Sequence, residues 1–95
     1  MSPEEFKAEV REWAEVTKAR PTRVRVQPMT RKWASCSTAG CVTFSRDLLG
    51  KRRAFRNYVI VHELLHLKVP NHGKLFKRLL DAFVPGWEKL PELRR

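Results

Sequence analysis

The stretch from Tyr58 to Leu67, Tyr-Val-Ile-Val-His-Glu-Leu-Leu-His-Leu, constrains this chain more than any other. It is apolar on nearly every side, so the rest of a 95-residue chain has to wrap around it. For such a run, periodicity alone does not separate a buried helix from a buried strand. Length favours a helix, reaching from Phe55 to Val69 before Pro70-Asn71 interrupts it. Compact domains run from about 50 to 250 residues, so residues 1–95 make a single domain with no second lobe. A chain near this length buries only about 60 to 65% of its unfolded surface, which keeps the core small.

Ahead of that run the chain carries the signals of one helix and a small sheet. Ser2-Pro3-Glu4-Glu5 reads as a helix start, with Ser2 as N-cap, Pro3 at the first helical position and Glu5 reaching back as a capping box. Phe6, Val10, Trp13 and Thr17 recur at helical spacing, which predicts a helix from Pro3 to Lys18. After Pro21 the period changes to two: Val24 and Val26 alternate with Arg23, Arg25 and Gln27, as a half-buried strand requires. Arg31–Ser37 and Cys41–Ser45 are the next strand candidates, joined through Thr38-Ala39-Gly40 as a hairpin. Beyond a basic loop, Arg46–Arg53, and the central run, Gly73–Phe83 resumes helical spacing through Phe76, Leu79, Leu80 and Phe83. The tail from Trp87 to Arg95 is expected to add a short helical turn packed through Trp87, Leu90 and Leu93. The expected fold is α+β: an N-terminal helix, a small, mostly antiparallel three-stranded sheet, the central helix and a C-terminal backing helix.

Within the central run, His62-Glu63-Leu64-Leu65-His66 forms the pattern H-E-x-x-H. Each helical residue turns about 100°, so positions four apart lie about 40° from eclipsed and one turn apart. His62 and His66 can therefore grip one ion. Neutral imidazole suits zinc, at about 2.0 to 2.1 Å, and a catalytic zinc normally keeps three protein ligands and an exchangeable water. Glu63 stands about 100° round from His62, too far to be a natural ligand but able to take a proton from the bound water. Left unpaired among leucines, a buried Glu63 would be costly, which favours a polar partner such as that water. His72, six residues beyond His66 and past Pro70-Asn71, is the leading third ligand. Glu88 and Glu92 compete with it, because some zinc hydrolases draw a Glu from a downstream helix, and Asp81 is a weaker option. The Met-turn metalloproteases are excluded: they place Gly where Val69 stands and need a Met after the third His, whereas the methionines here are Met1 and Met29.

Twenty Lys and Arg against ten Asp and Glu leave a net charge of +10 and a pI near 10.5. The surplus sits in the middle of the chain. Residues 20–56 hold ten bases and one acid, Asp47, while residues 1–19 hold five acids and three bases. Such a bias favours polyanionic or phosphorylated partners through long-range attraction. No apolar run reaches the roughly 18 to 20 residues of a membrane span, and Met-Ser-Pro-Glu-Glu lacks the regions of a signal peptide. A cytoplasmic protein with no membrane partner is expected. Cys36 and Cys41 cannot build a disulfide framework and read as buried thiols, with a cross-hairpin disulfide as the alternative.

Three ordered motifs carry a resemblance: Trp33-Ala34-Ser35-Cys36-Ser37 before the hairpin, Tyr58 to Leu67, and Asn71-His72-Gly73-x-x-Phe76. Together, over roughly residues 20–84, they resemble the YgjP-like metallopeptidase domain, a zincin relative of the SprT and WLM families. The resemblance implies a minimal zincin-like domain, one zinc ion held by His62, His66 and His72, and Glu63 as catalytic base. Ala34 departs from the usual W-G-S-C motif. Its extra methyl would narrow the cleft beside that strand, which bears on substrate fit more than on metal binding.

The expected function is therefore that of a zinc-dependent metallopeptidase acting on peptide or protein substrates. Candidate substrate-binding residues are Trp33 and Ser35, on a strand able to pair with an extended peptide, Tyr58, one turn before His62, and Arg56. Two other functions fit parts of the chain. One is a nucleoside triphosphate pyrophosphatase, an activity assigned to some YgjP-like members, using the cluster Lys51, Arg52, Arg53 and Arg56 ahead of the site helix. The other is a basic nucleic-acid-binding domain with a mainly structural metal, although no zinc-finger spacing or RNA-binding motif is present. With no upper lobe, the site is expected to be a shallow, open groove bordered by the basic strands and loop.

Overall fold

Ser2 opens the first helix of the computed structural model, which describes residues 1–93. Its Oγ accepts from the Glu5 N–H at 3.1 Å, and Glu5 Oε1 accepts from the Ser2 N–H at 2.7 Å, closing the predicted capping box. Helix α1 spans Pro3–Thr17 and ends at Lys18, whose left-handed backbone (φ 62°) turns its N–H back to the Ala14 and Glu15 carbonyls. Phe6, Val10 and Thr17 are buried on one face, while the half-buried Trp13 donates its indole N–H to Asn57 Oδ1 at 3.0 Å.

Three strands follow: β1 (Arg23–Gln27), β2 (Ala34–Cys36) and β3 (Cys41–Ser45), in the spatial order β1-β3-β2. β2 and β3 form the expected antiparallel hairpin, with Ala34 opposite Phe44 and Cys36 opposite Val42. Gly40 closes its turn at φ 87°, donating to the Ser37 carbonyl at 3.0 Å, and an added Cβ there would sit 3.1 Å from the Thr22 methyl. β1 does not join β2. It pairs parallel with β3, from Arg23 beside Cys41 to Gln27 beside Ser45. The sheet is thus mixed, one parallel and one antiparallel pairing, rather than mostly antiparallel. The physical reason lies in β3, whose Val42, Thr43, Phe44 and Ser45 are all buried and occupy the one position with a strand on each side. β1, with Arg23 and Arg25 exposed, takes an edge. Residues 28–33 carry the chain across to the other edge, anchored where Ser45 N–H donates to the Trp33 carbonyl at 2.8 Å. That crossing absorbs Arg31 and Lys32, so β2 is shorter than the predicted Arg31–Ser37.

The basic loop contains a 3-10 turn, Arg46–Gly50, opened by Ser45 Oγ accepting from the Asp47 N–H and seated by buried Leu48. The central helix, α2, spans Arg53–His66, and α3 spans Lys74–Phe83. Phe55, Val59, Ile60 and Leu64 of α2 share a core with Phe6, Val10, Val42 and Phe44, where Phe6 meets Phe44 edge-on at 5.2 Å. On the other side, Val61 and Leu65 pack against Phe76 and Leu80 of α3. Burial on two faces is why the run is apolar nearly all round. Two 3-10 turns, Trp87–Lys89 and Pro91–Leu93, form the tail. Leu90 is buried and Trp87 packs on the core, but Leu93, expected to pack, is 39% exposed. Arg94 and Arg95, included in the predicted tail, lie outside the described residues. Among the described residues, no helix is long and apolar enough to cross a membrane.

Candidate metal centre

Helical spacing places the rings of His62 and His66 one turn apart on α2, with centroids 4.9 Å from each other. Pro70 prevents the helix from running on, and the chain doubles back through residues 67–73 to bring in His72. His72 Nε2 lies 2.8 Å from His66 Nε2, and one ring nitrogen from each of the three histidines lies within 4.8 Å of the other two. Among the described residues this is the one grouping of potential metal ligands that converges. Beneath it stands Phe76 from the first turn of α3, with ring centroids 5.3 Å from His62 and 4.8 Å from both His66 and His72. At 2% exposure, Phe76 forms a dry floor under all three imidazoles. The sequence marked it as a core position and motif residue, not as the support of the histidine cluster.

These donors suit a metal ion. Two ring nitrogens 2.8 Å apart cannot both carry a proton, so at least one lone pair faces inward. Burial pushes the His66 pKa down; Glu63 opposes this, His62 and His72 reinforce it, and the Pro70 carbonyl opposes it again. A neutral imidazole is the form that ligates. Three imidazoles with an open side match the donor preference of zinc.

Glu63 is 8% exposed, and its Oε2 lies 3.0 Å from His62 Nδ1. It lines a groove of about 530 Å³ together with Ser35, Cys36 and His66, between the edge strand β2 and the end of α2. Ser35, a candidate substrate-binding residue, thus lines the groove beside Glu63. Trp33 does not line that groove: it packs edge-on against Phe55 at 5.1 Å, with the Lys51 ammonium 5.3 Å above its ring. Tyr58 stacks on Trp87 at 5.5 Å and lies 5.6 Å from His62. Burial, and then Glu63, raises its pKa, so the phenol keeps its proton.

Arg56 departs from its expected role. Its guanidinium forms a bidentate pair with Glu9 at 3.0 and 2.9 Å and donates to the Lys51 carbonyl at 2.7 Å, tying α2 to α1. Arg52 pairs in the same way with Glu92 at 3.0 and 2.7 Å. With Lys51 over Trp33, three of the four cations expected to meet a nucleotide have partners within the chain, the Arg52 pair lying at the surface. The competing metal ligands are also placed elsewhere: Glu92 holds Arg52, Asp81 accepts from the Trp87 indole at 2.7 Å, and Glu88 lies outside the histidine grouping. Cys36 and Cys41 are free thiols, half-buried rather than buried. The Cys36 pKa is raised by burial, followed by the charge of Glu63. Arg23 and Arg25, expected to border the metal, stand on β1, the sheet edge opposite the groove.

The same architecture occurs in solved structures. The crystal structure of the metallopeptidase zymogen of Pyrococcus abyssi abylysin superposes with a TM-score of 0.74 at 24% identity, covering 85% of this chain and 81% of that one. That of Methanocaldococcus jannaschii jannalysin, also a metallopeptidase zymogen, gives a TM-score of 0.74 at 25% identity, covering 82% and 80%. No curated protein matches the chain significantly in sequence. The pattern of the YgjP-like, metallopeptidase domain family matches residues 2–93. Nearly the whole chain, from the N-cap of α1 to the last 3-10 turn, thus follows one pattern, and the protein belongs to the YgjP-like metallopeptidase domain family.

Proposed function

We propose that the protein is a zinc-dependent metallopeptidase in which His62, His66 and His72 hold the ion and Glu63 is the catalytic base. The observation that carries this is the convergence of three histidine nitrogens within 4.8 Å, one of them on His66, which shares a groove with the nearly buried Glu63 carboxylate. Zinc bound there would lower the pKa of a water to about 7 and polarise the carbonyl of the substrate. Glu63 takes the proton of the attacking water on a carboxylate oxygen and passes it to the leaving amine nitrogen. Its contact with His62 Nδ1 narrows the conformations open to the carboxylate and keeps it at the groove. Phe76 closes the site from behind, which limits water access to the histidine rings. β2, as an edge strand, offers main-chain groups to an extended peptide, so a substrate is held with little demand on its sequence. Membership of a metallopeptidase family supports the same assignment.

The test combines metal analysis with hydrolysis of an unfolded protein. The purified protein is expected to carry about one zinc per chain and to cleave the substrate, with Glu63→Gln keeping the metal and losing about 10²- to 10⁴-fold in rate. Undiminished hydrolysis by Glu63→Gln, or turnover of nucleoside triphosphates in place of protein, would overturn the proposal.

A further inference from the structure

The groove beside Glu63 does not end at His66. It continues into a second hollow of about 470 Å³, which shares Cys36, Ser37, Thr38 and His66 with the first and runs on past the hairpin turn. The walls of this extension come from three separate parts of the chain. Lys18 and Arg20 follow the end of α1, Lys68 follows the end of α2, and residues 37–40 form the turn between β2 and β3. Among the described residues, no carboxylate lines it. Among the described residues, none of these three cations has a carboxylate oxygen within 4.0 Å. Glu15 borders a neighbouring hollow with Lys18 and Arg20 but forms no ion pair with either. The Lys68 ammonium is held in place by donating to the Thr17 carbonyl at 3.1 Å. These cations contrast with Arg52 and Arg56, which the fold neutralises with bidentate carboxylates. Like charges gathered without a counter-charge repel one another, and an anionic group from outside relieves that repulsion.

We propose that the hollow formed by Lys18, Arg20 and Lys68 is a recognition subsite for an acidic side chain of the polypeptide substrate, on the hairpin-turn side of the bond to be cut. The proposal rests on the metallopeptidase assignment for what enters the groove and adds which residue is preferred there. A peptide is favoured over a nucleic acid by position. The hollow is continuous with the open edge of β2, which binds extended main chain, and among the described residues its one aromatic ring is His66, assigned to the metal, with no Phe, Tyr or Trp for a base to stack on.

The test measures binding separately from turnover. Fluorescent peptides with acetylated and amidated ends, carrying Asp/Glu, Asn/Gln or Lys on both sides of one central residue, are titrated into metal-loaded Glu63→Gln protein at low salt. The acidic peptide is expected to bind about tenfold more tightly than the basic one, the advantage shrinking as salt rises. Arg20→Glu in the same background, and independently Lys18→Gln, should reduce that preference while leaving the neutral peptide unchanged. Both side chains are exposed, and thermal unfolding checks that each variant folds. Equal affinity for the three peptides, or a preference untouched by either substitution, would overturn the subsite. Tighter, Arg20-dependent binding of a single-stranded oligonucleotide would overturn it in favour of nucleic acid. Arg20-dependent acidic preference without any cleavage by the wild-type protein would keep the subsite and remove the peptidase assignment.

Discussion

The Nε2 atoms of His66 and His72 lie 2.8 Å apart although one belongs to a helix and the other to the loop that follows it. Pro70 and Asn71 make that approach possible by turning the chain at the end of α2. The contact predicts which third residue matters for metal binding. His66→Ala and His72→Ala should each weaken zinc binding by more than about 100-fold, beyond the 10- to 100-fold effects typical of residues that merely support ligands. Glu88→Ala should leave it unchanged. Competition with a chromophoric chelator measures all three, and full zinc retention by His72→Ala would exclude that histidine as a ligand.

Metal removal should also be visible in stability. A ligand at 1,000 times its dissociation constant stabilises the folded state by about 4 kcal/mol. Chelation is therefore expected to lower the thermal midpoint and added zinc to restore it. Glu63→Gln should show the same restoration, because Glu63 is not assigned to the ion.

Phe76 supports the cluster from a buried position, so its loss removes both core volume and the floor of the site. Phe76→Ala is expected to destabilise the protein by about 3 to 5 kcal/mol. Phe76→Leu should cost less and retain the fold, with weaker zinc binding as the second readout. Denaturant unfolding and chelator competition separate the two effects.

Arg56 is predicted to matter for stability and not for substrate. Its pair with Glu9 is only 14% and 17% exposed, which shields it from solvent screening. Removing one partner strands the other, and Arg56→Ala should cost about 1 to 3 kcal/mol. Peptide hydrolysis per folded molecule should not change. A selective loss of hydrolysis at undiminished stability would return Arg56 to substrate binding.

The capping box gives the N-terminal helix a pH dependence of known sign. Hydrogen bonding from the Ser2 backbone N–H, and then from its hydroxyl, holds the Glu5 pKa below its ordinary value. A carboxyl depressed in the folded state stabilises above its unfolded pKa, and that contribution is lost as pH falls through the folded one. The stability difference between wild type and Glu5→Gln should therefore be largest near neutral pH and shrink through the acidic range. A difference that grows on acidification would contradict the box.

Local chemistry accounts for the parts of this protein that could be read along the chain. The capping box, the Gly40 hairpin, the central helix and the approach of His62 to His66 each depend on residues a few positions apart, where backbone geometry decides the outcome. The nearness of His72 to His66 is local too, since a proline stands where the chain must turn. The parallel pairing of β1 with β3 depended instead on competition for the central place in the sheet, which the most apolar strand won through burial. The fates of the basic residues were decided in the same non-local way. Arg56 and Arg52 met carboxylates 47 and 40 residues away, whereas Lys18, Arg20 and Lys68 line one hollow beside the groove without one among the described residues. Charge counted along a sequence sums all of these alike. Only packing determines which cations are neutralised inside the fold and which remain to meet a ligand.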